Sequence, residues 1–421
     1  MCKKLFYGEV SRKMKLLFFV SSFPALSETF ILNQITGMID LGHDVEILAT
    51  KKVETTKKHP EIEQYGLLDK VTYIEIPSNL PKKVWIATKA FFKTVKHSPK
   101  RAIGLINGRK QGKFVYSLRP LIVNTYFEAP LKFDAIISHY GYNTLLLEII
   151  KAQYEKFPPI YGFFHGNDVT GFVQRFGEDI YYPLQRKTNT TALPISEQMA
   201  DRLEELNILP LNRKVHHMGV DLTKFPKVPF KGFSEELQLL IVGRLTEKKG
   251  MDITISALKK LQDNDLKVQL TIIGEGEWRN HLEELTDKLQ LSASVHLIGA
   301  KSQEEVRQAI KEADLLLLPS KTATDGDQEG IPVSLMEALA SGKLVISTYH
   351  SGIPELIKNN KNGWLVPEND SQQLADKIQE VVKMTPEECQ RISQHATESV
   401  EQFFNIKKLN DTLSQLIRSN Q

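Results

Sequence analysis

Cysteine is close to absent. Two occur in 421 residues, Cys2 and Cys389, too few and too far apart for a disulfide framework or a Cys-based metal cluster. That usage suits a reducing cytoplasm. Long apolar runs are missing as well. No stretch approaches the length of a membrane-spanning helix. Leu16–Val20 follows lysines but is too short for a signal peptide and runs into Ser21-Ser-Phe-Pro24, so any membrane association is peripheral. No Gly-x-Gly-x-x-Gly follows the first strand-like segment, which disfavours a dinucleotide site and with it a dehydrogenase. Net charge is only +3 and no nucleic-acid motif accompanies it, so nucleic acid is not an expected partner. No low-complexity segment or short repeat is present.

One absence is local. Between Ile76 and Phe127 there is no acidic residue, while Lys82, Lys83, Lys89, Lys93, Lys96, Lys100, Arg101, Arg109, Lys110, Lys113 and Arg119 accumulate. Lys89, Lys93, Lys96 and Lys100 recur at helical spacing, with Trp85, Thr88, Phe91, Phe92 and Val95 on the other side. A basic amphipathic helix carrying Trp and Phe suits docking on an anionic membrane surface. A solvated basic face whose aromatics pack into the domain core has the same pattern.

What is present is an ordinary globular composition, 41% apolar and 25% charged, over a length sufficient for two domains with full cores. Met1–Lys13 is a ragged basic lead, and Met14 is an alternative start. Lys15–Ser21 reads as a buried parallel strand, followed by a helix with Ser27 as its cap and Gly42 at its end, then a strand over Asp44–Thr50. Val71–Ile76, Phe133–Ser138, Ile160–Phe164 and Thr191–Ile195 continue the series, and Ser196 caps a further helix. His139 and His165 fall at strand carboxyl ends, where sites form in open α/β sheets. Gly166 permits close approach beside His165, and Asp168 is placed to orient a ring nitrogen. Neither histidine has a second ligand at zinc-site spacing. Pro and Gly cluster from Phe225 to Gly232, which marks a domain boundary.

The second half repeats the logic. Leu239–Val242 ends at Gly243-Arg-Leu-Thr-Glu-Lys-Lys-Gly250, Val268–Ile273 at Gly274-Glu-Gly276, and Asp314–Leu318 at Pro319 and Ser320. Arg244 and Lys249 are cations placed to reach an anion in the cleft, one with a planar fork and one as a point charge. After Ser320 comes Thr324-Asp-Gly-Asp-Gln-Glu-Gly-Ile-Pro-Val-Ser-Leu-Met-Glu-Ala-Leu-Ala-Ser-Gly342, a loop leading into a helix with Pro332 near its first turn and Gly342 past its end. Amides around Gly330 and Ile331 are then free at a positive terminus that suits phosphate. Glu337 lies roughly 7–8 Å along the axis from Pro332. A capped surface helix with a solvated acidic face remains the alternative.

Glu329-Gly-Ile-Pro-Val-Ser-Leu-Met-Glu337 resembles the signature of retaining family-4 glycosyltransferases of the GT-B fold, two Rossmann-like doubly wound α/β domains facing a central cleft. Asp325-Gly-Asp-Gln-Glu-Gly-Ile-Pro332 and Ser351-Gly-Ile-Pro-Glu355 resemble the colanic-acid and amylovoran type of exopolysaccharide enzyme. The resemblance implies that Glu329 contacts the donor sugar, Glu337 holds the ribose, and Arg244 and Lys249 neutralise the donor diphosphate. Gly274 joins the donor-binding set. Phe164-His-Gly-Asn-Asp-Val-Thr170 resembles the family segment whose His lies beside the sugar, which makes His165 and Glu329 the catalytic candidates. The Ser27-Glu-Thr-Phe turn resembles the loop facing acceptor and donor phosphates, with Glu28 and Asn33 as its candidates.

The implied architecture is residues 1–225 for the acceptor-side domain, 226–400 for the nucleotide-sugar domain, and 401–421 for a helix returning to the first. Its implied partners are a nucleotide-sugar, with UDP favoured over GDP, and a lipid-linked saccharide acceptor. The site is a peripheral one on the inner face of the cell membrane, with no metal and no cofactor. A sugar-nucleotide epimerase of the same fold and a non-catalytic nucleotide-sugar-binding protein on the membrane are the rival readings. The absent dinucleotide fingerprint leaves a dehydrogenase last.

Overall fold

The computed structural model describes residues 12–25, 28–53, 59–129, 132–186, 189–208 and 212–420. Cys2, most of the basic lead and Ser27 lie outside them. Each half of the chain builds a parallel sheet. The first contains β1 (Lys15–Val20), β2 (Asp44–Ala49), β3 (Val71–Tyr73), β4 (Ala135–His139), β5 (Ile160–Phe164), β6 (Thr191–Pro194) and β7 (Asn212–Arg213), in the order β3-β2-β1-β4-β5-β6-β7. The strands β4 and β5 are buried along their whole length, because helices cover both faces of a parallel sheet and leave no polar side. Phe18 of β1 sits between Ile47 of β2 and Ile137 of β4.

The second sheet contains β8 (Leu237–Val242), β9 (Val268–Ile273), β10 (Val295–Leu297), β11 (Leu315–Leu318), β12 (Leu344–Thr348) and β13 (Trp364–Val366), in the order β10-β9-β8-β11-β12-β13. Strand order reverses between β1 and β4 in one sheet and between β8 and β11 in the other. Open α/β sheets bind ligands just outside the carboxyl ends of strands at such reversals, and both reversals here carry candidate residues.

The chain crosses between lobes twice, side by side. The Val220 amide donates to the Phe404 carbonyl at 2.9 Å, and the Ile406 amide returns to the Val220 carbonyl at 3.1 Å. Gly219 makes this possible, since a Cβ there would lie 2.8 Å from the Phe404 oxygen. Beyond the crossing, the helix Ile406–Ser419 packs on the first-lobe helix Thr29–Asp40. His43 and Ser414 share a 2.8 Å hydrogen bond there.

The acid-free stretch departs from its sequence reading. A continuous lysine face through Lys100 is not formed: the helix Leu80–His97 stops at Ser98, which caps a separate helix, Pro99–Ile106. The residue before a proline is pushed out of helical geometry, and Pro99 then starts the next helix. The face turned inward carries Ala87, Ala90 and Thr94. Trp85 and Phe92 point outward, 57% and 61% exposed, so they share the lysine side instead of opposing it. Lys89 Nζ stands 3.5 Å above the Trp85 ring. The helix is anchored by buried Glu128, which accepts the Thr94 hydroxyl at 2.5 Å and pairs with Lys93 at 3.3 Å.

Candidate active site

Strand β8 runs out at Val242, and the Lys249 side chain folds back over Gly243, where a Cβ would stand 3.3 Å from its Cε. Gly250, at φ 63°, sends the chain into the helix Met251–Asp263. A Cβ on Gly250 would overlap the Pro319 carbonyl, so the ends of β8 and β11 are stitched together at this point. Gly274 closes the third side, since a Cβ there would overlap the Gly243 carbonyl.

Lys249 Nζ donates to Glu329 Oε2 at 3.0 Å. Lys248 Nζ lies 2.9 Å from Asp327 Oδ2 and 3.5 Å from Glu329 Oε1. Both lysines and Glu329 are buried. Burial alone would raise the Glu329 pKa, but Lys249 and Lys248 hold it at about 2. Burial lowers the Lys249 pKa. For Lys248 the neighbouring carboxylates outweigh burial and the pKa rises. Two cations and two anions therefore balance, which is how charges survive in a low-dielectric interior.

Two further ionisable groups are uncommitted. Arg244 is exposed and has no ion-pair partner among the described residues. Glu337, in the helix Val333–Ala340, is buried without a hydrogen-bond partner among them, and burial lifts its pKa to about 8. The helix begins after Pro332, so Gly330 and Ile331 belong to the approach rather than to its first turn. Among the described residues their amides meet no acceptor, while the Glu329 amide donates to His350 Nε2 at 3.1 Å. The His350 Nδ1–H donates to Glu368 at 2.7 Å, which fixes that tautomer.

In the first lobe, His165 caps the short helix Gly166–Val169. Asp168 does not orient its ring nitrogen. The fully buried carboxylate accepts the His165 amide at 2.8 Å and the Gly141 amide instead, tying the end of β5 to the end of β4. Burial raises Asp168 to about 7. Because the far nitrogen of His139 faces the Gln34 carbonyl oxygen and must donate to it, His139 Nδ1 accepts, and His165 Nε2–H donates to it at 3.3 Å. The His139 Nε2–H bond to Gln34 is 3.0 Å long. Burial lowers His165 to about 3, so the pair is neutral.

Glu28 lies at this end of the cleft and accepts the Tyr140 hydroxyl at 2.8 Å. Burial raises its pKa, against the pull of Arg244 from the other lobe. Asn33 is not in that loop. It lies inside the helix Thr29–Asp40, where Asn410 of the C-terminal helix binds its carbonyl at 3.3 Å, and it is Gln34 that faces the histidines.

The lobes meet along one seam. A Cβ on Gly166 would overlap the Gln328 carbonyl, and the Gln328 amide donates to Thr170 Oγ1 at 3.3 Å. Glu355 accepts the amides of Glu197 and Gln198 at 2.9 and 3.1 Å, capping the helix Glu197–Glu205 from the opposite lobe. Ser351 donates to the Glu329 carbonyl at 2.6 Å, and its Oγ lies 3.1 Å from the Gln198 side-chain amide. Sequence reasoning missed Lys248, Gln34, Tyr140 and Glu355. Lys248 had a signal, as the neighbour of Lys249. Gln34 had none, being 105 residues from the histidine it binds.

Similarity to known proteins agrees with this geometry. The model of the glycosyl transferases group 1 family matches residues 226–399. A Salmonella typhimurium protein named as a colanic acid biosynthesis glycosyltransferase is 36% identical over 96% of this chain and all of its own length. The amylovoran biosynthesis glycosyltransferase of Erwinia amylovora is 36% identical over 86% of this chain and 89% of its own. Among solved structures, Anabaena HepE in complex with UDP and glucose superposes with a TM-score of 0.71 at 18% identity, covering 96% of this chain and all of that one. The fold is GT-B, and the chain belongs to the group 1 glycosyltransferases, in the branch that holds the colanic-acid and amylovoran enzymes.

Proposed function

We propose that the protein is a retaining, family-4 type transferase that moves a sugar from a nucleotide-sugar, with UDP as the nucleotide, to a hydroxyl of a lipid-linked saccharide. Its setting is exopolysaccharide or other cell-surface polysaccharide synthesis, including capsule or lipopolysaccharide, at the cytoplasmic face of the cell membrane. One observation carries the reading. The second lobe offers, at one reversal of strand order, a cation, Arg244, and a buried carboxyl group, Glu337, neither of which has an ion-pair or hydrogen-bond partner among the described residues. A nucleoside diphosphate has the complementary pair, an anion and a ribose diol.

Arg244, Lys249 and the amides at Gly330 and Ile331 take the diphosphate charge that develops as the sugar leaves. They supply it from the protein, and neither a metal nor a cofactor has a step in this scheme. No group of three or more His, Cys, Asp or Glu with metal-holding geometry occurs among the described residues. Glu329, held at about 2 by its lysines, is an anion at every working pH and positions the sugar without shuttling protons. His165 stays neutral beside the sugar, its one ring N–H engaged by His139. With neither group suited to act as base, the acceptor proton passes to the departing diphosphate. The bond from the anomeric carbon to phosphate oxygen breaks as the bond to acceptor oxygen forms on the same face.

The outward Trp85, Phe92, Lys89 and Lys96 support membrane docking, since amphipathic basic helices with exposed aromatics lie in bilayer interfaces. No helix of the described residues is long and apolar enough to cross a membrane. The deciding experiment is a thermal-shift screen against UDP, GDP and their sugars, followed by product analysis with and without membrane-lipid extract. Stabilisation by UDP that disappears in Arg244→Ala, with sugar incorporated into lipid, is the expected result. Turnover of the donor to an epimer without any acceptor would overturn the transferase reading.

A further inference from the structure

The first lobe carries a row of aromatic rings leading away from the sugar position. The His165 ring is 4.7 Å from that of Tyr140, Tyr140 is 5.4 Å from Tyr142, Tyr142 is 5.6 Å from Phe172, and Phe172 is 4.8 Å from Phe176. These residues come from three separate segments: the end of β4, the end of β5, and the helix Gly171–Phe176. Core packing would bury the outer members, yet Tyr140, Tyr142 and Phe172 are part-exposed and Phe176 is 43% exposed. Tyr140 also adopts φ 72°, a backbone region that a bulky side chain occupies only at a cost of order 1–3 kcal/mol. Its hydroxyl is pinned to Glu28 at 2.8 Å, so the ring is held in place at the cleft.

The row ends in a cleft of about 360 Å³ that Phe172 and Phe176 line together with Asn167, Gln174, Arg175 and Asp325. Rings flanked by amides, a guanidinium and a carboxylate match the two faces of a sugar, one of C–H groups and one of hydroxyls. Each step along the row is close to the length of one sugar ring.

We infer that the row from Tyr140 to Phe176 is the binding track for the saccharide part of the acceptor, with the reacting hydroxyl at the His165 and Glu28 end and earlier sugars toward Phe176. This rests on the transferase reading above and adds the location and chemistry of its second substrate.

The test uses the full-length protein and an array of neutral gluco- and galacto-configured oligosaccharides, read with and without UDP. Phe176→Leu keeps bulk but removes the ring, while Phe176→Tyr keeps the ring. The expected result is about tenfold weaker glycan binding in Phe176→Leu, binding within about twofold of the parent in Phe176→Tyr, and an unchanged UDP thermal shift in both. Phe172→Leu provides a second, inner position. Equal glycan binding by parent and both Leu variants would overturn the track, as would a parent that binds no oligosaccharide in either condition. A chain that ignores UDP yet loses glycan binding in Phe176→Leu would sink the donor reading and leave the track standing.

Discussion

The carboxylate of Glu355, in the second lobe, accepts the backbone amide of Gln198, in the first, at 3.1 Å. Together with the Glu197 amide at 2.9 Å, this places a negative charge from one lobe at the positive end of a helix in the other. The contact stabilises the closed arrangement that brings His165 and Glu329 to one cleft.

Removing it should loosen that arrangement without unfolding either sheet. Helix caps and charged hydrogen bonds are each worth about 1–3 kcal/mol. Glu355→Ala is expected to raise the donor KM roughly tenfold and to enlarge the radius of gyration in solution scattering. Unchanged scattering and KM would show that Glu355 does not hold the lobes together.

Glu329→Gln should be costly before any substrate binds. Lys248 and Lys249 would then face Asp327 alone, and an under-compensated buried cation destabilises by about 3 kcal/mol. The variant is expected to melt several degrees lower and lose transfer at least a hundredfold. UDP should restore more of its thermal stability than it adds to the parent. A variant that melts with the parent would mean that the lysine pair is not buried in the free protein.

Glu337 predicts a pH signature. Its folded pKa of about 8 stands above the usual 4.5, so between those values the folded chain holds a proton that the unfolded chain has released. Stability from this group therefore falls as pH rises through the window from about 5 to 8. Ribose hydroxyls donate to the ionised form, so nucleotide binding should tighten over the upper part of that window and expel a proton. Calorimetry in two buffers of different ionisation enthalpy reads this directly. Glu337→Gln should abolish the proton release and weaken UDP about tenfold; identical proton release in the variant would assign it elsewhere.

At the membrane face, Trp85→Ala combined with Phe92→Ala should cut co-sedimentation with anionic vesicles severalfold at about 0.1 M salt, since both rings are already exposed and their loss removes little packing. High salt should weaken what remains, because lysines supply the rest. Thermal stability should change by less than about 1 kcal/mol. Undiminished sedimentation would return the stretch to a solvated basic face.

The sheets were readable because parallel strands are apolar on both sides and end at Gly, His or Pro. Arg244, Lys249, Glu329 and Glu337 could be placed along the chain for a related reason, since each lies within a few residues of a strand end or helix start; the roles given to them came from the family resemblance. What escaped depends on distance along the chain. Gln34 meets His139 only because β1 and β4 are neighbours, and Glu355 caps a helix 158 residues away. The basic helix failed differently. Helical periodicity told which residues share a side but not which side is inward, and small Ala87 and Ala90 took the core while Trp85 and Phe92 stayed out. Pro99, which splits the stretch, was a sequence signal left unused.

The double crossing at Val220 and Phe404 has a mechanical consequence. A single connecting strand is a tether, about which two bodies can swing and twist freely. Here two strands lie hydrogen-bonded to each other through Val220, Phe404 and Ile406, and the second continues into a helix fastened to the first lobe. Two pins on one line leave a door a single axis. Any opening of the cleft would turn about that line, and closing it would bring Gly166 back against Gln328.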